Sequence, residues 1–82
     1  MTEITERLQR DHRFVARRIG EGLHPVAAWR ERRGLSSEGL AGRAGLTPRE
    51  VAAIESGLLL PDPAQRARLA RALGTDPAAL LP

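Results

Sequence analysis

The chain has 82 residues and a formal net charge of +3, since its 13 basic residues, all arginine, are set against 10 acidic ones. This length allows one small domain, and the absence of cysteine excludes disulfides and thiolate metal sites. No apolar run is long enough to span a membrane and the first residues do not resemble a secretory signal, so we expect a cytoplasmic protein without cofactor or metal.

The N-terminal segment, residues 3–19, is predicted to form an amphipathic helix. Its apolar stripe has helical spacing and consists of Ile4, Leu8, Val15 and Ile19. Asp11 and His12 interrupt this stripe, and we interpret His12 as a surface residue. Two hypotheses remain open for the helix: it extends the core or completes a dimer interface, or it is a docking surface for a partner protein.

The next predicted helix covers residues 25–33 and carries the only tryptophan of the chain. Pro25 suits the first helical position, and Gly34 can adopt the left-handed backbone that ends the helix. Val26 and Trp29 are three residues apart and therefore share the face that is expected to be buried. We expect Trp29 to be a central packing element.

Two short helices joined by a tight turn are predicted at residues 37–44 and 48–56. Ser36 is the N-cap of the first, and Gly45 supplies the left-handed turn that ends it. The second begins with an N-cap, a proline at the first position and a capping-box glutamate, supplied by Thr47, Pro48 and Glu50. A helix, a glycine turn and a second helix crossing the first constitute a helix-turn-helix unit.

The C-terminal part adds two further predicted helices and contains one unusual loop. Asp62 and Asp76 are each followed by proline and are predicted to cap helices at about 62–73 and near the C-terminus. Residues 58–60 are three consecutive leucines: one or two of them turn inward, or all form an exposed apolar patch of the kind that marks a protein interface. The absence of strand-like alternation predicts an all-α fold.

Several positions of the two short helices carry a recurring pattern of apolar, small and glycine residues: Leu40, Ala41, Ala44, Gly45, Leu46, Val51, Ile54, Glu55 and Gly57. Together they resemble the Cro and phage-repressor type helix-turn-helix family, often called XRE-like. The resemblance implies a compact five-helix lambda-repressor-like domain at residues 25–82. Residues 1–24 then form an extra N-terminal helix and a linker.

This resemblance implies a sequence-specific DNA-binding transcriptional regulator, a repressor that binds double-stranded operator DNA as a homodimer. Arg49 is the strongest candidate base reader, because arginine pairs bidentately with guanine. The expected DNA-binding residues are Ser36, Ser37, Arg43, Thr47, Pro48, Arg49, Glu50 and Ala53, with Arg32 or Arg33 as helpers. The family also implies a largely buried salt bridge between Arg30 and Glu55.

The sequence departs from the family at positions that usually contact DNA, and two further hypotheses follow. Ser37 replaces the usual glutamine, and leucines at 58–60 replace residues that hold the phosphate backbone. A protein-interaction module on the same fold, with little DNA affinity, is therefore the alternative. Within the regulator hypothesis, the short chain with an added N-terminal helix also resembles antitoxins of type II toxin–antitoxin modules, which implies a toxin protein as partner. An enzyme is not expected, since the chain has no cysteine and no paired carboxylates at catalytic spacing.

Overall fold

Five α-helices and a short 3₁₀ helix form the part of the chain that the computed structural model describes, residues 2–82. The elements are α1 (Thr2–Gly20), α2 (Pro25–Arg33), α3 (Ser37–Ala44), α4 (Pro48–Glu55), α5 (Pro63–Leu73) and the 3₁₀ helix (Pro77–Leu80). No strand occurs in this described range, so the predicted all-α class is confirmed. Within residues 2–82, no helix has both the length and the apolar character needed to cross a membrane.

Local capping chemistry determines where most of the helices begin and end. The Ser36 hydroxyl accepts a hydrogen bond from the Gly39 amide at 2.9 Å, and Asp62 accepts one from the Gln65 amide at 2.7 Å. These bonds satisfy amides that have no partner inside the helix. Asp76 differs from the prediction, since its side chain makes no capping hydrogen bond and a 3₁₀ helix follows it.

The core lies among α2, α3, α4 and α5 and is closed by the 3₁₀ helix. Its largest fully buried side chains are Val26, Leu40, Val51, Ile54, Leu69, Leu73 and Leu80. Trp29 is also buried in this cluster, as the sequence predicted. Each large apolar side chain contributes about 1.5–3 kcal/mol when removed from water. This packing therefore holds α3 and α4 in place against α2 and α5.

Helix α1 packs against α2, but only part of its apolar stripe is covered. Val15 is buried, whereas 63% of Ile4 and 51% of Leu8 remain exposed. Helix α1 has 19 residues and α2 has 9, and the last residues of α2 meet the middle of α1 at Asp11. The N-terminal half of α1 therefore extends past the end of the helix that covers its other half.

Asp11 joins α1 to the last turn of α2 through two arginines. Its side chain accepts hydrogen bonds from Arg32 Nε at 2.7 Å and from an Arg33 terminal nitrogen at 3.0 Å. Burial raises the pKa of Asp11, but the hydrogen bonds from the two guanidinium groups outweigh it and hold this pKa below its usual value. Arg33 Nε also donates to the Leu73 carbonyl oxygen at 2.7 Å, so the cluster connects α1, α2 and α5.

His24 caps α2 in its neutral form, which makes stability depend on pH. Its Nδ1 accepts a hydrogen bond from the Val26 amide at 3.1 Å, and burial lowers the pKa of His24 below its ordinary value of 6.5. The cap therefore contributes fully above pH 6.5 and is lost as pH falls through the lowered pKa. We expect the His24→Asn variant, whose amide oxygen caps without titrating, to lose about 1 kcal/mol less stability on acidification.

Denaturant unfolding of both proteins at neutral pH and near pH 5 measures this difference. The matched control is His12→Asn, which replaces the exposed histidine and should retain the pH dependence that His24 produces. A parallel decline of the wild-type chain and the His24→Asn variant would contradict the assignment.

Candidate nucleic-acid interface

Helices α3 and α4 form the helix-turn-helix unit around a glycine turn. Gly45 has φ +66°, and the chain reverses as the Leu46 amide donates to the Ala41 carbonyl oxygen at 2.9 Å. The positive φ lies in the left-handed region, which a residue with a Cβ adopts only with strain. Arg68 Nε donates to the Ala44 carbonyl oxygen at 3.0 Å, so α5 satisfies the C-terminus of α3.

The N-terminus of α4 is closed by a reciprocal capping box. The Thr47 hydroxyl accepts from the Glu50 amide at 3.1 Å, and Glu50 Oε1 accepts from the Thr47 amide at 2.9 Å. The box fixes both side chains at the helix start and leaves the Thr47 O–H and Glu50 Oε2 as the groups that could still contact a ligand. Pro48, the first residue of the helix, is exposed and offers only an apolar surface.

Arg49 is the exposed cation at the start of α4. Among residues 2–82 no ion pair or hydrogen bond engages its guanidinium, so the group is available to a ligand. Val51 and Ile54, on the inner face of the same helix, are fully buried. Arg49 thus lies on the surface of a helix whose inner face is packed into the core. Ala53 is half-buried between the two faces.

The other predicted contact residues lie on α3. Ser36 is exposed, but its hydroxyl already caps the helix; Ser37 is half-buried at the first helical position. Arg43 is exposed in the last turn, with no ion pair in the described part of the chain. A helix start carries amides without intrahelical partners and a partial positive charge, which is suited to a phosphate.

Arg30 and Glu55 lock α4 to α2. The Arg30 guanidinium donates to both carboxylate oxygens of Glu55, at 2.7 and 3.0 Å, and to the Leu35 carbonyl oxygen at 3.0 Å. The hydrogen bonds with Glu55 raise the pKa of Arg30 above its ordinary value. The pair inferred from the family resemblance is thus present, and it fixes both the end of α4 and the loop that leads into α3.

Two arginines that the sequence suggested as phosphate contacts are engaged elsewhere. Arg32 and Arg33 hold Asp11, which is only 3% exposed. The sequence interpretation missed this cluster because the pairing joins residues more than 20 positions apart. The sequence signal that could have revealed the cluster was an acidic residue on the apolar stripe of α1, four residues before the buried Val15.

The loop after α4 exposes its leucines. The exposed fractions are 86% for Leu58, 37% for Leu59 and 72% for Leu60. The amides of Leu58 and Leu59 both donate to the Ala53 carbonyl oxygen, at 2.9 and 3.1 Å, which turns the chain away from the helix axis. The hypothesis that one or two of these leucines turn into the core is therefore wrong, and the exposed apolar patch remains.

Comparison with known protein families identifies a domain that covers most of the chain. A family model described as a helix-turn-helix domain matches residues 26–81. This range begins in the first turn of α2 and ends just after the 3₁₀ helix, so it includes the whole candidate interface. No curated protein and no solved structure shows significant similarity to the chain.

Proposed function

The chain belongs to the helix-turn-helix domain family, and from this membership we propose that it is a sequence-specific DNA-binding transcriptional regulator. The observation that carries the proposal is the unpaired, exposed guanidinium of Arg49 on α4. The capping box and the Arg30–Glu55 pair fix that helix at both ends. A rigid helix presenting one free arginine is suited to reading guanine.

In the proposed mechanism α4 enters the major groove. Its eight residues extend about 12 Å at roughly 1.5 Å per residue, which suits a groove about 12 Å wide. Arg49 would donate to the edge of a guanine, and Pro48 and Ala53 would offer apolar contacts to a neighbouring base. The N-termini of α3 and α4, together with Arg43, would bind phosphates and set the position of the reading helix.

We further propose a homodimeric repressor in the cytoplasm. A dimer would place two copies of α4 in successive major grooves about 34 Å apart, so that a two-fold operator matches the two-fold protein. A single copy of α4, with one free arginine, discriminates weakly between DNA sequences, and two linked copies multiply the selectivity. The added N-terminal helix also supports an antitoxin role, with a toxin protein as partner.

Selection from a pool of randomised duplexes tests the regulator proposal for any operator sequence. We expect repeated rounds of binding to the full chain to enrich a short motif that contains guanine and occurs as two inverted copies. Enrichment of single copies would contradict the dimer, and a pool that stays random would contradict sequence-specific recognition.

The exposed loop supports a second candidate function, a protein-interaction module with little DNA affinity. Leu58, Leu59 and Leu60 are uncharged, and phosphate contacts supply most of the affinity in protein–DNA complexes. An exposed apolar patch is typical of a surface that binds another protein. This candidate and the regulator differ in what a charge added to the loop should do.

The substitution Leu58→Lys tests whether the loop lies against the phosphate backbone, as in the regulator, or is left for a protein partner, as in the interaction module. If the loop faces the phosphate backbone, the variant should bind any duplex about threefold more tightly, with one further counterion released per protein. Fluorescence anisotropy over a range of salt concentrations measures both quantities. Leu8→Lys adds the same charge on α1 at another exposed leucine and is the control. An equal gain for the two variants would show that only net charge matters and would contradict the loop's position at the phosphates.

A further inference from the structure

A groove of about 360 Å³ runs along α1, on a different element from the proposed reading residues. It is lined by Arg10, Arg13, Phe14, Arg17 and Arg32, and we call it the arginine groove. Four of its residues lie on α1, and Arg32 is contributed by the helix that packs against α1. The helix-turn-helix unit uses none of these five side chains.

The arginine groove carries positive charge that the described residues do not neutralise. Arg10, Arg13 and Arg17 are exposed, and none of them forms an ion pair within residues 2–82. The acidic residue one helical turn before Arg10 is Glu6, which is exposed and not paired with it. The nearest buried acid, Asp11, is already held by Arg32 and Arg33.

Phe14 gives the groove an apolar surface and helps to order two of its cations. The guanidinium carbons of Arg17 and Arg32 lie 5.7 and 5.4 Å from the centre of the half-buried Phe14 ring. Arg32 is also fixed by its 2.7 Å hydrogen bond to Asp11. Arg32, which is held by both contacts, is therefore ordered before any ligand arrives, and little of its rotamer freedom remains to be lost on binding.

We propose that the arginine groove is a docking site for an acidic peptide segment of a partner protein. The spacing of Arg10, Arg13 and Arg17 forms a row of cations about 10 Å long on one helical face. Carboxylates of the segment pair with this row, and an apolar side chain of the same segment lies against the part of Phe14 that remains exposed. A nucleic acid would add a base that stacks on a free face of Phe14, but the guanidinium groups of Arg17 and Arg32 lie over that ring, so the lining favours a peptide. This docking does not depend on DNA binding.

Binding of a labelled peptide to the full chain tests the proposal in the absence of DNA. The probe contains Asp and Glu residues around a single Leu, and the reference peptide has Asn and Gln in their place. The variant is Arg10→Gln with Arg13→Gln, which removes two exposed cations from the groove. Its matched control is Arg66→Gln with Arg71→Gln, which makes the same charge change on α5. Far-ultraviolet circular dichroism verifies that both variants fold.

We expect the groove variant to bind the acidic peptide about fivefold more weakly and the α5 control to bind it nearly as the wild-type chain does. The reference peptide should bind none of the three proteins measurably. Equal weakening by the two double variants would overturn the proposal, because it would show attraction to net charge alone. Loss of duplex binding by the groove variant, with peptide binding unchanged, would overturn it in favour of a DNA contact.

Discussion

Replacing Asp11 with asparagine is expected to lower the free energy of unfolding by about 2–3 kcal/mol, the largest stability effect predicted for a single polar side chain here. Asparagine has the same shape but no charge, and its amide group would face one of two guanidinium groups. Arg32 and Arg33 would lose the carboxylate that orients them at 2.7 and 3.0 Å. Because the cluster connects α1, α2 and α5, the loss affects the whole fold.

Thermal unfolding measures this effect directly, and Asp62→Asn provides the control. Asp62 is exposed and caps α5, and asparagine caps a helix about as well as aspartate. For a domain of this size the Asp11→Asn variant should melt about 10 °C or more below the control. Melting temperatures within a degree or two of one another would show that the Asp11 cluster contributes little.

The second large effect concerns DNA. Replacing Arg49 with alanine is expected to weaken binding to the operator by about 1–3 kcal/mol, or roughly 5- to 150-fold. The loss arises because alanine cannot pair with guanine, and α4 contains no other basic side chain. Folding should be unaffected, since Arg49 is exposed and has no ion pair in the described chain.

The matched control for Arg49→Ala is Arg71→Ala, which removes one exposed charge from α5. Titration of each variant against the selected duplex and a scrambled duplex distinguishes the loss of base recognition from the loss of one positive charge. Arg49→Ala should lose most of its preference for the selected duplex, whereas Arg71→Ala should weaken both duplexes slightly and equally. If the Arg49→Ala variant kept its preference for the selected duplex over the scrambled one, Arg49 would not be a base-reading residue.

Most helix boundaries could be predicted because they depend on local chemistry. Ser36, Thr47 and Asp62 each cap the next helix through a bond within three residues, so the pattern is visible in the sequence. Gly45 likewise marks the turn by its own backbone preference. The helix-turn-helix unit was predictable for the same reason, and so was Arg49 as an exposed residue of its second helix.

Contacts between distant segments could not be predicted in the same way. Asp11 was interpreted as an interruption of a stripe, since nothing local shows that Arg32 and Arg33 would surround it. The exposure of Ile4 depends on where α2 ends relative to α1, which helix lengths alone do not define.

The sequence predicted the bonds that hold the candidate site in place more completely than it predicted which of its side chains are free to bind DNA. The capping box at Thr47 and the salt bridge between Arg30 and Glu55 have the predicted partners. In the structure the side chains of Ser36, Thr47 and Glu50 are fixed at helix starts by capping hydrogen bonds, and the two helper arginines are already ion-paired. Arg49 and Arg43 then remain as the cations available to DNA.

Fluorescence anisotropy with the duplex from upstream of the chain's own coding region tests the central claim most directly. A scrambled duplex of equal length is the reference, and both are titrated at about 50 and 200 mM salt. The proposed regulator should prefer its own duplex at least about tenfold and lose affinity steeply as salt rises. Weak binding that is equal on the two duplexes would contradict a sequence-specific DNA-binding function for this chain.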